Sequence, residues 1–219
     1  MLTIDARSLE SDTALGAILD TLKRQKPGSE LTLTLPQPAT PVLRGLAEHA
    51  PLPCWFSPRQ PGQYTLVARD TASRPGVTEY LSWDHDRLDA TLATGLSAAA
   101  GGDWARANEC VQAFRLGLLR HIDIEEKMLF PAFEERTGMH HGGPTQVMRM
   151  EHEGIQECVA GIVSSAERKD ADDLMRWHAN LLGVLVEHNM KEEQILYPGI
   201  DRVLDDGDRA QMITDMLLA

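Results

Sequence analysis

Apolar residues follow two different rhythms along this chain. Up to about residue 70 short alternating runs dominate: LTIDAR (2–7), LTLTL (31–35), CWF (54–56) and QYTLVAR (63–69) put apolar side chains on every second position, as half-buried strands do. Between them, TALGAILDTLKRQ (13–25) and PVLRGLAEHA (41–50) space their apolar residues three and four apart, which predicts two helices, the second with Pro41 in its first turn. Pro27-Gly28 and Pro61-Gly62 mark turns. The resulting order β-α-β-α-β-β predicts a two-layer α/β sandwich with helices on one face of a sheet.

From residue 79 onward the helical spacing takes over and persists. It predicts long helices over 79–100, 103–136, 144–168 and 172–204, and a short one over 208–218. Gly101-Gly102 and Gly142-Gly143-Pro144 separate them, and Asp103 is placed to cap the second. Four long helices joined by short turns predict an antiparallel up-down bundle. The expected fold class is α+β, with a small domain over 1–70, a Ser/Thr/Pro/Gly-rich linker over 71–78 and a four-helix bundle with a short closing helix over 79–219.

An internal repeat sharpens this picture. His121-Ile-Asp-Ile-Glu125-Glu126-Lys-Met-Leu-Phe130-Pro131 aligns without a gap on His188-Asn-Met-Lys-Glu192-Glu193-Gln-Ile-Leu-Tyr197-Pro198, 67 residues later. Asp84-His85-Asp86 with Leu88 matches Glu151-His152-Glu153 with Ile155 at the same offset of 67. A duplicated helical hairpin relates first helix to third and second to fourth, so each inward residue acquires a mate. His121 with Glu125, and His188 with Glu192, lie one turn apart on one helix face, and His85 and His152 add a nitrogen from each remaining helix. The candidate metal ligands are therefore His85, His121, Glu125, His152, His188 and Glu192.

Four imidazoles and two carboxylates without a thiolate suit iron or manganese better than a closed zinc site. If both carboxylates bridge two octahedral metals, roughly eight of twelve positions are filled; a bridging oxygen leaves about one open per metal. Asp86, Asp89, Glu151, Gln156, Glu126 and Glu193 are near enough in sequence to orient the imidazoles, though Glu126 and Glu193 read more simply as solvated outer positions. His49, His140, His141 and His178 have no repeat mate and are left out of the site. Phe130-Pro131 and Tyr197-Pro198 suggest kinks, with the aromatic rings plugging the end of the bundle.

The chain has 219 residues and a formal charge of −12 from 33 acidic and 21 basic residues, with no cluster of Lys and Arg to meet phosphates. Nucleic acid and anionic membrane surfaces are excluded as expected partners. The N-terminus lacks a basic start and an apolar run, and no apolar stretch reaches membrane-spanning length, which predicts a cytoplasmic protein. Cys54, Cys110 and Cys158 are scattered and odd in number, as buried thiols rather than a disulfide framework.

The helix-borne pattern His, HxxxE, His, HxxxE over 79–205 resembles the hemerythrin-like HHE cation-binding family. That resemblance implies two iron ions joined by an oxo or hydroxo bridge. It departs from the oxygen-carrying hemerythrins in having Gln156 where they add a further histidine, and Glu192 at spacing four where they carry an aspartate at five. The pattern is closer to the di-iron proteins of iron-sulfur cluster repair and nitric oxide response, whose N-terminal cysteine pair this chain lacks. It implies a non-haem di-iron protein that binds nitric oxide or dioxygen in the response to nitrosative or oxidative stress. The alternative is a di-iron enzyme or iron donor acting in cluster repair or in peroxide or nitric oxide reduction. Residues 1–70, opening with Asp5-Ala6-Arg7, resemble the small TusA/SirA-like domains but carry no early Cys-Pro, so docking of a protein partner is expected there rather than sulfur transfer.

Overall fold

The computed structural model describes residues 2–50, 54–60, 62–69 and 76–219. They form two compact units, one made of the residues before Gly76 together with Ala210–Ala219, the other running from Gly76 to Arg209. Of the sequence expectations, the turn proline Pro61 and residues 71–75 of the linker lie outside the described residues.

In the first unit the order is β1 (Leu2–Asp5), α1 (Ser11–Leu22), β2 (Glu30–Thr34), α2 (Thr40–His49), β3 (Cys54–Gln60) and β4 (Gln63–Ala68). The sheet order is β1-β2-β4-β3, with β1 parallel to β2 and the other neighbours antiparallel. Register places Leu31 beside Leu66 and Leu66 beside Phe56, so one buried apolar row crosses three strands. Ala14, Ile18 and Leu22 of α1 and Val42 and Leu46 of α2 are the buried stripes of the two helices. Strand β3 outruns the expected 54–56 although it contains Pro58. It is an edge strand, where a missing N–H costs no ladder bond, and an irregularity between Pro58 and Gln60 absorbs the misfit.

The second unit is the bundle: α3 (Val77–Ala100), α4 (Trp104–Ile124) running through a π turn (Glu125–Leu129) into α5 (Phe130–Thr137), α6 (Pro144–Arg168), and α7 (Ala171–Lys191) running through a second π turn (Glu192–Leu196) into α8 (Tyr197–Val203). A last helix, α9 (Asp206–Leu218), buries Ile213, Met216 and Leu217, and from Ala210 it groups with the first unit. Among the described residues no helix is long and apolar enough to cross a membrane.

The repeat of 67 residues extends into this architecture. Asp103 caps α4 by accepting from Arg106 N–H, and Asp170 caps α7 by accepting from Asp173 N–H. The hydroxyl of Thr78 donates to Asp201 at 2.6 Å, and that of its mate Thr145 donates to Glu134 at 2.6 Å. Core residues pair likewise, Leu88 with Ile155, Leu92 with Val159, Phe114 with Leu181 and Leu118 with Leu185, all buried. Neither Pro131 nor Pro198 terminates its helix, since helical hydrogen bonding runs on past each. A proline in an α-helix lacks a donor and crowds the carbonyl four residues back. The π turn just before each proline resets the ladder, with Phe130 N–H bonded to Glu125 O and Tyr197 N–H to Glu192 O, so helical hydrogen bonding continues.

Gly117 brings α3 against α4 one turn before His121. A Cβ there would lie 2.7 Å from Leu88 Cδ2 and 2.8 Å from Arg87 Nη2. Gly117→Leu is expected to lower stability by about 1–3 kcal/mol through overpacking. Gly183→Ala, at a helical site with nothing within 4 Å, should raise stability by roughly 0.5–1 kcal/mol. Chemical denaturation of the two variants checks both signs.

Candidate metal centre

Each helix of the bundle turns one histidine inward at a common level. His85 comes from α3, His121 from α4, His152 from α6 and His188 from α7, and all four are buried. Glu125 and Glu192, the first residues of the two π turns, are fully buried between them. The six residues expected from the sequence as ligands are thus brought together. Among the described residues, Glu125, His152, His188 and Glu192 each offer an atom within 4.8 Å of the others, and so do His85, His121 and Glu192; both groups could hold a metal ion.

A second ring of carboxylates sets the direction of every imidazole. His85 Nδ1 lies 2.7 Å from Glu193 Oε1, His121 Nδ1 3.1 Å from Asp84 Oδ2, His152 Nδ1 2.8 Å from Glu126 Oε1 and His188 Nδ1 2.9 Å from Glu151 Oε2. Asp84 and Glu151 are mates at the offset of 67, and so are Glu126 and Glu193. A carboxylate accepts, so each neutral ring donates its Nδ1–H outward and turns the Nε2 lone pair inward. Those lone pairs meet other lone pairs: His85 Nε2 is 3.1 Å from His121 Nε2, His152 Nε2 is 3.2 Å from Glu125 Oε2, and His188 Nε2 is 2.9 Å from Glu192 Oε1. Both oxygens of Glu192, Oε2 of Glu125 and Nε2 of His152 lack a hydrogen bond among the described residues. Buried acceptors facing one another need a cation between them.

Charge supports the same fit. Six carboxylates surround the four rings, while Arg87 pairs with Asp84 at 2.8 Å and Lys191 with Glu151. Arg87 and Lys191 each pair with one of these six carboxylates, so the site keeps an excess of negative charge that bound cations would offset. Without them, protons fill the role. Burial depresses the His152 imidazolium, but the facing carboxylates of Glu125 and Glu192 more than offset it and raise the group from 6.5 to about 10. His85 and His188 are also raised against the pull of burial, chiefly by their carboxylate hydrogen bonds. Burial pushes Glu192 up, yet His152 and His188 hold it well below the usual carboxylate range. Asp84 is likewise held low, the adjacent Arg87 charge and His121 outweighing its burial.

Two aromatics close the site unequally. Phe130 stacks on His152 with centroids 5.8 Å apart and planes at 13°. Its mate Tyr197 donates its hydroxyl to Glu125 Oε1 at 2.7 Å and lies 3.2 Å from His121 Nε2. Beside the rings is a cavity of about 20 Å³, lined by His85, His121, Leu88, Phe114, Leu118 and Leu185 among others. It has room for about one water-sized molecule.

The sequence reading of the outer residues needs correction. Glu126 and Glu193 are half-buried partners of His152 and His85, not solvated positions, and Asp84 holds His121. Asp86 and Gln156 are exposed, and Asp89 lines the cavity, none of the three holding an imidazole Nδ1. Tyr197 belongs to the site and not to a plug at the end of the bundle. The usable signal was the repeat itself, which carries Asp84/Glu151 and Glu126/Glu193 as acidic pairs.

Comparison with known families places residues 77–200 in the hemerythrin HHE cation binding domain. Searches of curated proteins and of solved structures gave no match.

The raised His152 defines a pH response of the metal-free protein. A group with a raised folded value contributes stability that is complete below its unfolded value and lost as pH climbs through the folded one. Thermal unfolding of metal-free protein should therefore show falling stability from pH 6.5 toward about 10. The His152→Gln variant should show a shallower slope over that range.

Proposed function

From its membership of the hemerythrin HHE cation-binding family, we propose that this chain holds two iron ions in the bundle core and uses them to bind a small diatomic ligand, nitric oxide or dioxygen, in nitrosative or oxidative stress. The carrying observation is the approach of His85 Nε2 to His121 Nε2 at 3.1 Å, with both Nδ1 atoms already committed to carboxylates. Two such lone pairs are tolerable only with a proton or a metal ion between them, and the excess of carboxylates around them favours the metal. In this reading His85 and His121 hold one ion, His152 and His188 the other, and Glu125 and Glu192 lie between the pairs. Imidazole and carboxylate donors without thiolate favour iron or manganese.

Iron bound there would supply redox capacity and an open coordination position. The chain's own residues supply the rest. Asp84, Glu126, Glu151 and Glu193 fix the ring tautomers and orientations. Leu88, Phe114, Leu118 and Leu185 make the adjoining cavity apolar, favouring a small uncharged ligand over water. Iron donation or redox turnover in cluster repair is the second reading, and the half-exposed Glu126 and Glu193 behind two of the rings are its nearest route to solvent.

The N-terminal unit is read as a docking module. Sulfur transfer is not part of this proposal: Cys54, the cysteine of that unit, is buried, and burial pushes its thiol up to about 12.

Metal analysis of protein prepared without oxygen should find two irons per chain, with an optical spectrum that changes on adding nitric oxide or air. Zinc alone, or no metal after growth in iron-rich medium, would overturn the reading. Glu125→Ala and Glu192→Ala should each lose metal, whereas Glu126→Gln and Glu193→Gln should weaken metal retention roughly 10- to 100-fold, as loss of an imidazole-orienting partner does. Competition with a chelator measures both.

A further inference from the structure

The pseudo-twofold repeat matches the six candidate ligands residue for residue, and among the groups in direct reach of the two inner carboxylates it differs by one hydroxyl. At the position where one half has Phe130, stacked on His152, the other has Tyr197, bonded through its hydroxyl to Glu125. We infer that Tyr197 is a positioning residue that makes the two metal positions unequal by holding one oxygen of Glu125. This rests on the two-metal reading above.

The consequences for the two carboxylates are visible in the distances. Among the described residues no hydroxyl is placed on Glu192 as that of Tyr197 is on Glu125, and Glu192 reaches both histidine pairs: Oε1 is 2.9 Å from His188 Nε2 and Oε2 is 3.5 Å from His85 Nε2. Glu125 has Oε1 taken by Tyr197 and offers only Oε2, which lies 3.2 Å from His152 Nε2 but 3.8 Å from His121 Nε2. Glu125 therefore leans toward the His152/His188 pair. A carboxylate oxygen that accepts a phenol hydrogen bond is also a weaker electron donor to a cation. The His85/His121 position is left with less carboxylate and a phenol 3.2 Å from its His121 nitrogen. It becomes the weaker and more exchangeable of the two. Phe130, with no hydroxyl, leaves Glu192 free to serve both.

The test uses full-length protein loaded with iron-57 in the absence of oxygen and measured by Mössbauer spectroscopy at one and at two irons per chain. Two distinct quadrupole doublets are expected in the unaltered protein, one of them dominant at one iron per chain, with the two positions differing in affinity by roughly tenfold or more. In Tyr197→Phe the doublets should converge and the affinity gap should shrink to roughly threefold or less, with two irons still bound. Phe130→Tyr offers Glu192 the same hydroxyl and should bring the two positions closer together, so the idea is tested even if Tyr197→Phe does not fold. Equivalent irons in the unaltered protein, or doublets unchanged in the variant that folds, would overturn it. A visible phenolate-to-iron charge-transfer band lost in Tyr197→Phe would also overturn it, because Tyr197 would then be a ligand and not a donor. Failure to bind two irons at all would instead count against the two-metal reading.

Discussion

The bundle is organised around imidazoles that have nowhere to turn. Each ring gives its Nδ1–H to a carboxylate on its outer side, and the only remaining direction for its lone pair is the centre of the bundle. Four such lone pairs and two buried glutamates form a set of acceptors in a region with little water to relieve them. That arrangement is unfavourable on its own account and favourable around cations. The helix caps, the close approach at Gly117 and the apolar layers below the site hold the rings at this level, because a ring that swung outward would lose its carboxylate as well as its place.

Duplication explains how one chain comes by such a set. A single helical hairpin that presents His on one helix and HxxxE on the next supplies half of the donors. Its repetition supplies the other half in the same order, turned about the pseudo-twofold axis, so that Glu126 serves the ring of the second copy and Glu193 that of the first. The cross-over ties the halves together: each copy orients a histidine belonging to the other. Symmetry then fails at chosen points, with Arg87 buried behind Asp84 on one side, half-exposed Lys191 behind Glu151 on the other, and a phenol facing a phenyl across the site.

Much of this is legible in the sequence alone. The helix extents, the Asp103 cap and the convergence of the six inward residues follow from apolar periodicity and the offset of 67. The errors cluster around the π turns, and for one reason. An α-helical projection advances about 100° per residue, which puts Tyr197 on the face opposite His188 and leaves Glu126 and Glu193 at the margin. The π turns at Glu125–Leu129 and Glu192–Leu196 take up an extra residue and rotate the succeeding turns back toward the axis. A pattern reading assumes constant pitch and cannot see that rotation, although the prolines at 131 and 198 mark where an unbroken α-helix would be strained. In the N-terminal unit the succession of strands and helices along the chain was readable, while the strand order in the sheet and the length of β3, set by its edge position, are tertiary facts.

The carboxylate of Asp201, near the end of the bundle, accepts hydrogen bonds from the first backbone N–H groups of α3, Val77 at 2.8 Å and Thr78 at 3.0 Å. The bundle's first and last turns are therefore clasped, and the chain leaves it close to where it came in. The segment from Ala210 onward rejoins the unit formed by the residues before Gly76. Topologically the metal-site bundle is a guest inserted into a smaller host whose sequence it interrupts. The smaller host is thus discontinuous in sequence, and its last residues, from Ala210, are made only after the guest.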